Sequence, residues 1–433
     1  MKDKKYNTNV LVIGAGVAGM EASLLLANAG RKVYLVEKTS YTGGNITKYE
    51  KVFPNMECAT CMIAPKQQEL LQNKNIELLR LSEVMNVNGS FGNFTVKVKK
   101  KAEYVDLQNC IGCSACFEPC PVEVDNEFEE NLTKRKAIYI PCPGALPNIP
   151  VIDTENCLRF KGKECQVCKE ACMFDAIDFT RKDEELELKV GTVIVATGFK
   201  TFAPKKLSQY GYGKIENVYT AFEFERMFAS NGPTQGEILL KNGRPPKSAA
   251  IIHCVGREEK GYCSGVCCMY SLKFVRYLKE KLPEIEIYEF YSDLCIPGKS
   301  YQKFYEKTEP EVKLIRAEEI EVSKQGNDTA VKYKTDGSKA STLPVDMVIL
   351  AQGIEPNSNA TKLAKILGIP QDEVGFFVEE NSETDTVTSK KQGIFIAGCA
   401  QGPKDIQDSV AQAEAAVGKI LSLFSSNKTS YKG

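Results

Sequence analysis

The sequence predicts an α/β protein. A dinucleotide-binding domain is interrupted by a cysteine-rich α+β insert and followed by a second dinucleotide-fold-like region. Three observations predict it. Residues 8–37 run strand, Gly14-x-Gly16-x-x-Gly19, helix, strand and acidic residue. Residues 110–172 carry Cys110, Cys113, Cys116 and Cys120 spaced C-x-x-C-x-x-C-x-x-x-C, then Cys165, Cys168 and Cys172 spaced C-x-x-C-x-x-x-C, with Cys157 as an earlier thiol. Residues 248–256, Ser-Ala-Ala-Ile-Ile-His-Cys-Val-Gly, read as the first strand of the second dinucleotide fold.

Composition sets the outer bounds. The 433 residues suffice for two or three domains. Lys+Arg and Asp+Glu are both 56, so nothing points to nucleic acid or an anionic membrane surface. No run approaches the roughly 18–20 apolar residues of a membrane span. The N-terminus runs into a strand and lacks the apolar region of a signal peptide, so the expected location is cytoplasmic. Seventeen cysteines in such a chain read as metal and redox ligands rather than structural disulfides.

The first unit, residues 1–100, is expected to bind FAD. Gly14 permits a tight turn, Gly16 lets a pyrophosphate approach the backbone, and Gly19 packs helix on strand. The helix N-terminus stabilises the phosphates. Glu37 ends the second strand, with Lys38 beside it, placed for a ribose hydroxyl. Followed by Gly43-Gly44-Asn45, this segment looks like the FAD site of the two-dinucleotide-binding-domain flavoproteins. Cys58-x-x-Cys61 comes next and reads as a redox dithiol, a partial cluster site or two buried thiols. Residues 91–99 alternate like a strand.

The insert, residues 101–185, carries the bacterial ferredoxin signature for [4Fe–4S] clusters. In two-cluster ferredoxins the fourth Cys of each run ligates the other cluster. Cys110, Cys113, Cys116 and Cys172 are therefore expected to hold one cube, and Cys157, Cys165, Cys168 and Cys120 the other. A zinc site would favour separated C-x-x-C pairs, often with His, and His253 is the chain's one histidine. The second site departs from the pattern: Met173 follows Cys172 in place of Pro, and seven residues separate Cys157 from Cys165.

Residues 186–203 return to the FAD domain. Leu186–Val190 resumes the sheet pattern, and Thr192–Gly198 closes it, with Thr197 and Gly198 resembling the Ala-Thr-Gly strand of the same flavoproteins. In residues 204–344, the second dinucleotide-like region, the Gly-rich fingerprint expected after residue 256 is missing. Cys254, Cys263, Cys267 and Cys268 stand there instead and suggest a third cluster; buried core thiols are the alternative. His253 reads as a core histidine or one that supports a ligand. Residues 269–281 are expected to be helical, with Lys273 and Lys279 solvated. Strands are expected at 285–290 and 329–334, with a polar turn at Asp336-Gly337. Val345–Gly353 is read as the return crossing into the FAD domain, which then occupies residues 345–433. There Gly398 and a following helix to about Phe424 contact the flavin in this flavoprotein class. The helix N-terminus, near Asp405 and Ile406, stabilises its reduced anionic form. Cys399 stands where Asp is usual. The tail from Ser425 is expected to fray.

The chain resembles the A-type subunits of the heterodisulfide reductases of methanogens and their bacterial relatives. The residues carrying this are Phe53-Pro54…Cys58-Ala-Thr-Cys61-Met-Ile-Ala-Pro65, the Cys110–Cys120 run, Cys254-Val-Gly…Tyr262-Cys263-Ser-Gly-Val-Cys267-Cys268, and Gly398-Cys399-Ala-Gln-Gly-Pro-Lys-Asp405. The resemblance implies a thioredoxin-reductase-like FAD fold with an inserted ferredoxin domain. It implies Cys254, Cys263, Cys267 and Cys268 as cluster ligands near the flavin, and Lys273 as partner for flavin N5, the catalytic position. It further implies flavin-based electron bifurcation or confurcation, electron pairs being split into single electrons along diverging cluster chains. The expected partners are B- and C-type subunits with a hydrogenase, formate dehydrogenase, NADH or methylenetetrahydrofolate reductase module. The oligomeric state stays open, a homodimer included. The longest family members carry an N-terminal cluster domain and a C-terminal ferredoxin domain that this sequence lacks, so another cluster-bearing subunit is expected in their place. Two other readings compete: a self-contained NAD(P)H-dependent FAD oxidoreductase, and a non-bifurcating electron hub or cluster scaffold. Cys58, Cys61, Cys142, Cys295 and Cys399 have no role fixed by the sequence.

Overall fold

A computed structural model describes residues 6–326, 328–335 and 337–429. The chain divides into two compact units. One comprises residues 1–47, 60–199 and 356–433, the other residues 48–59 and 200–355. Asp336 of the expected polar turn and residues 430–433 of the tail lie outside the described residues.

The first unit is built on a seven-stranded sheet in the order 379–381, 385–389, 394–396, 192–195, 10–13, 33–36 and 76–79. The five strands from 394–396 to 76–79 are parallel, and the two at the opposite edge are antiparallel. Val10–Ile13, Thr192–Val195 and Ile394–Ile396 are buried throughout. Both faces are covered, so these strands show no polar alternation. The helices Val17–Asn28 and Ile406–Thr429 pack together.

A three-stranded antiparallel sheet, 184–190, 93–100 and 82–90, lies in the same unit. Lys100 pairs with Glu184, so the cysteine-rich insert leaves and rejoins the chain at two adjacent strand ends. Its ends close at the base of one ladder, which explains how a large insert leaves the flanking sheet intact. The insert is held to the preceding loop by Thr42, whose N–H donates to the Leu146 carbonyl at 3.1 Å, and by the packing of Tyr41 against Phe128, Cys142 and Ala145.

The second unit has a five-stranded parallel sheet in the order 218–220, 347–352, 248–255, 286–291 and 313–316, and a three-stranded antiparallel sheet of 318–325, 328–334 and 341–345. Residues 248–255 thus form a strand of a dinucleotide-type sheet, as expected. Two readings are corrected here. Met347–Gln352 is a strand of this second sheet and not the return crossing; the chain re-enters the first unit at residue 356. The terminal helix runs to Thr429, beyond the expected end at Phe424, so residues 425–429 are helical and not a frayed tail. Among the described residues no helix is long and apolar enough to cross a membrane.

Candidate functional site

In the first unit the Gly14–Gly19 turn sits at the carboxyl ends of strands 10–13 and 192–195. Gly14 has φ +103°, and a Cβ there would lie 2.3 Å from the Ala196 carbonyl oxygen. A Cβ on Gly19 would lie 1.8 Å from the Gly14 carbonyl oxygen. Both glycines are therefore required by close backbone packing. Gly16 differs: a Cβ there meets nothing within 4 Å, so the space over it is open. Gly16 caps the helix Val17–Asn28 without a side-chain hydrogen bond, leaving its first N–H groups directed at that space. Thr197, on the facing strand end, has a buried hydroxyl with no hydrogen-bond partner. Open space, uncapped amides and a hydroxyl without a partner fit a bound dinucleotide.

The surrounding residues are fixed by local bonds. Glu37 accepts from the Ala15 N–H at 2.7 Å and from the N–H and hydroxyl of Thr39 at 2.8 Å each. Its carboxylate thus ties the turn to the end of the second strand. Lys38 is exposed. Gly44 lies against Gly16, and the Asn45 amide donates to the Phe199 carbonyl at 3.2 Å. Gly198 and Gly398 have φ +66°. Cys399 is buried, with its thiol 3.3 Å from the Lys404 carbonyl, and burial raises it above the ordinary thiol range. Asp405 accepts from the Asp408 N–H at 2.8 Å and so caps the helix that begins at Ile406. Substitution for the missing flavin-side Asp at Cys399 is therefore not its visible role.

The insert gathers Cys110, Cys116, Cys120, Cys157, Cys168 and Cys172 around one small core. The Cys116 thiol lies in the field of Cys168, Cys110 and Cys172, and the Cys168 thiol in that of Cys157, Cys120 and Cys165. Cys172 thus lies near Cys116 of the first run and Cys120 near Cys168 of the second, while Cys116 and Cys168 also face each other. Burial pushes Cys116 up to about 12 and Cys168 up to about 11, with the neighbouring thiols adding to the rise. Two such buried thiols favour a partner that takes over their charge. The Gly112 and Ala176 N–H groups point at Cys110 Sγ and Cys172 Sγ, each at 3.4 Å. Cys113 is exposed. Among the described residues no three His, Cys, Asp or Glu side chains converge as a single ion requires. A cube spreads its four thiolates over separate irons.

In the second unit Cys254, Cys263, Cys267 and Cys268 line one pocket of about 410 Å³, part of it open solvent. The strand bulges between Ile252 and Val255, and Cys254 has φ +59°. A bulge re-aims a side chain, and a non-glycine residue in this region stores strain. The sequence at 253–254 is therefore built to turn a thiol, where the ordinary fold needs glycine. Cys267 and Cys268 open the helix Cys267–Lys281. Burial pushes Cys267 up to about 12. Burial also opposes ionisation of Cys268, but His253 overrides it and holds that thiol below the ordinary range. His253 is buried with Glu289 at 3.4 Å; burial lowers its pKa, Glu289 and the Cys268 thiol together outweigh that, and it settles at about 10. His253 is thus a buried histidine facing Glu289 and the Cys268 thiol, with neither ring nitrogen in a hydrogen bond of ordinary geometry.

Lys273 corrects the expectation of a solvated lysine. It is 3% exposed, and its ammonium donates to Glu225 at 2.6 Å and to the Lys51 carbonyl at 3.1 Å. Lys279, by contrast, is half-buried and donates to the Pro283 and Ile285 carbonyls.

The sequence reading missed several members of these sites. Cys295 and Arg257 line the same pocket as the four thiols. Arg257 reaches Cys254 Sγ at 3.9 Å and Asp293 at 3.0 Å. Glu225 and Glu289 are the buried carboxylates that hold Lys273 and His253. Their partners lie far off in sequence, and no spacing marks them. Cys58 and Cys61 are disulfide-bonded; Cys142 is buried.

Residues 8–417 match the model of the pyridine nucleotide-disulphide oxidoreductases. The chain belongs to that family. It is accordingly an oxidoreductase of thioredoxin-reductase-like α/β fold, and FAD is the cofactor that the Gly14–Gly19 cradle fits. The A-type subunit of the H2:CoB-CoM heterodisulfide,ferredoxin reductase of Methanothermobacter marburgensis is 40% identical over 418 residues, 94% of this chain and 63% of that protein. The first A-type iron-sulfur subunit of the CoB–CoM heterodisulfide reductase of Methanopyrus kandleri is 42% identical over 441 residues, 99% of this chain and 66% of that protein. The chain thus spans just under two thirds of the length of these relatives. Among solved structures, Lactococcus lactis thioredoxin reductase superposes with a TM-score of 0.53 at 14% identity, covering 98% of this chain and all of that one.

Proposed function

We propose that the chain is the FAD- and [4Fe–4S]-bearing electron-transfer subunit of a heterodisulfide-reductase-like complex, and that it splits or merges electron pairs between partner subunits. One observation carries this reading: in addition to a dinucleotide cradle, the chain gathers thiols in the insert and again at residues 254–268. The flavin would supply two-electron chemistry and the clusters one-electron steps. The protein's share is binding and electrostatics. Gly14, Gly16, Gly19 and the amides that follow would hold the pyrophosphate. Glu37, Lys38, Gly44 and Asn45 would border the adenosine side, and Thr197, Gly198, Gly398, Cys399, Asp405 and Ile406 the flavin side. Cys110, Cys113, Cys116 and Cys172 would hold one cube, and Cys120, Cys157, Cys165 and Cys168 another. Cys254, Cys263, Cys267 and Cys268 would hold the third. Lys273 is proposed to act on flavin N5.

The kinship with heterodisulfide reductases supports subunits of that type as partners. B- and C-type subunits, and a hydrogenase, formate dehydrogenase, NADH or methylenetetrahydrofolate reductase module, are the proposed neighbours. The working compartment is proposed to be the cytoplasm.

The test is an iron, sulfide and FAD count on anaerobically purified protein. About twelve irons per FAD is expected for three four-iron clusters. About eight would leave the 254–268 thiols without a cluster, and absence of flavin would sink the reading. A self-contained NAD(P)H oxidase or reductase is the second reading, favoured by the family's pyridine-nucleotide chemistry. It requires NADH or NADPH to bleach the flavin of the isolated chain at turnover rates; no such bleaching is expected.

A further inference from the structure

Five thiols line a pocket whose proposed cube needs four: Cys254, Cys263, Cys267, Cys268 and Cys295. Cys267 faces Cys268, Cys254 and Cys263. These four come from one strand end, the loop after it and one helix start, and they account for the four corners. Cys295 arrives separately, on the segment after the strand Glu286–Tyr291. Its N–H donates to Cys268 Sγ at 3.3 Å, and its thiol hydrogen-bonds the Cys263 side chain. The Gly265 N–H reaches Cys263 Sγ from another direction at 3.4 Å. Two of the four corner sulfurs thus receive donors from Cys295, one through its backbone and one through its side chain.

The geometry points to Cys295 as a positioning residue that does not bind iron but donates its S–H to the Cys263 sulfur and raises the reduction potential of the cluster in this pocket. The inference rests on the proposal that the pocket holds a cluster. Reduction adds negative charge, and part of that charge resides on the thiolate sulfurs. Hydrogen bonds to those sulfurs stabilise the reduced form and lift the potential. A thiol is a weak donor, but this one is partly screened from water and is held in place by its own backbone bond to Cys268. The Cys110 and Cys172 sulfurs of the insert have backbone N–H donors, so a side-chain donor of this kind offers a means of setting the pocket's potential apart.

The experiment compares the wild-type chain, Cys295→Ala and Cys295→Ser, purified anaerobically, by iron count and by redox titration followed with EPR. The pocket signal is the one that Cys263→Ser abolishes. Both Cys295 variants are expected to keep the wild-type iron content. Cys295→Ala should make the pocket cluster harder to reduce by about tenfold in the equilibrium, or about 59 mV for one electron. Cys295→Ser, whose hydroxyl also donates, should recover most of that change. Loss of about four irons in both variants would show that Cys295 is a ligand and overturn the inference. An unchanged midpoint in Cys295→Ala would overturn it as well. A wild-type chain with about eight irons would instead defeat the underlying cluster reading, and the inference with it, before any variant is compared.

Discussion

The buried pair Lys273–Glu225 gives the sharpest stability prediction. Lys273 is 3% exposed and Glu225 1%, with 2.6 Å between Nζ and the carboxylate. Glu225 also accepts from the Tyr277 hydroxyl at 2.8 Å and the Glu50 N–H at 2.9 Å. Glu225→Gln leaves an ammonium in the interior with no counter-charge, and such a loss costs about 3–5 kcal/mol. The rings of Tyr49, Phe274 and Tyr277, 5.0–5.3 Å from Nζ, retain part of the stabilisation, so the lower end is expected. With a urea slope of about 3 kcal/mol/M the midpoint should fall by about 1 M. The pH dependence follows from Lys273. Burial holds its ammonium below the ordinary lysine range, and Glu225 opposes that. Between the folded and ordinary values the unfolded chain binds the extra proton, so stability rises with pH across that window. Removing Glu225 extends the window downward. The deficit of Glu225→Gln should therefore be larger at pH 7 than at pH 10. Circular dichroism in urea at both values measures it, and Glu225→Gln with Lys273→Met should regain most of the loss. A deficit that is absent, or that grows with pH, would refute the reasoning.

Other outcomes are as definite. Gly16→Ala should fold normally yet lose FAD affinity, because its methyl enters open space where a phosphate would lie; flavin content against thermal stability separates this from Gly14→Ala, which meets the Ala196 carbonyl and should lose both. In the insert, the proposed crossed pairing requires Cys120→Ser and Cys157→Ser to abolish one EPR signal and Cys110→Ser and Cys172→Ser the other; pairing by sequence run would contradict it. Asp405→Ala removes the cap of the last helix and should cost about 0.5–2 kcal/mol in urea unfolding.

The dinucleotide cradle and the cysteine runs were legible because their chemistry is local. Gly14, Gly16 and Gly19 serve one turn, and the C-x-x-C gaps serve one loop. The crossed pairing is an expectation drawn from a rule of the cluster fold rather than from neighbours in sequence. Lys273 was not legible. Helix spacing among Leu272, Phe274 and Val275 marks a buried face but cannot name a carboxylate 48 positions earlier. Met347–Gln352 failed for a related reason. It is buried on both faces, so its pattern announces a central strand without saying which sheet it joins. Residues 48–59 grouping with the second unit likewise depend on long-range bonds, such as the Lys51 N–H to the Tyr277 hydroxyl at 2.8 Å.

The place of the Cys254 pocket explains why the second unit keeps a dinucleotide-type sheet but not its glycines. In an open parallel sheet, ligands bind beyond the carboxyl ends of the strands, where the strand order reverses. From strand 248–255 the chain goes on to 286–291 and 313–316 on one side, and 347–352 stands on the other. The reversal lies between 248–255 and 347–352. The pocket is lined there by Cys254 and Gly256 from one strand end and by Gly353 and Ile354 from the other, with Cys295 beyond the end of 286–291. Glycine remains where backbones must meet: a Cβ on Gly256 would lie 2.4 Å from the Phe202 ring. Where a phosphate would need bare backbone, the chain has a bulge, a left-handed Cys254 and the Arg257 guanidinium facing its sulfur. One crevice cannot present both a bare phosphate turn and a ring of thiols. On the proposed reading this fold position would serve sulfur in place of a dinucleotide, and this favours electron transfer over hydride transfer from a nicotinamide.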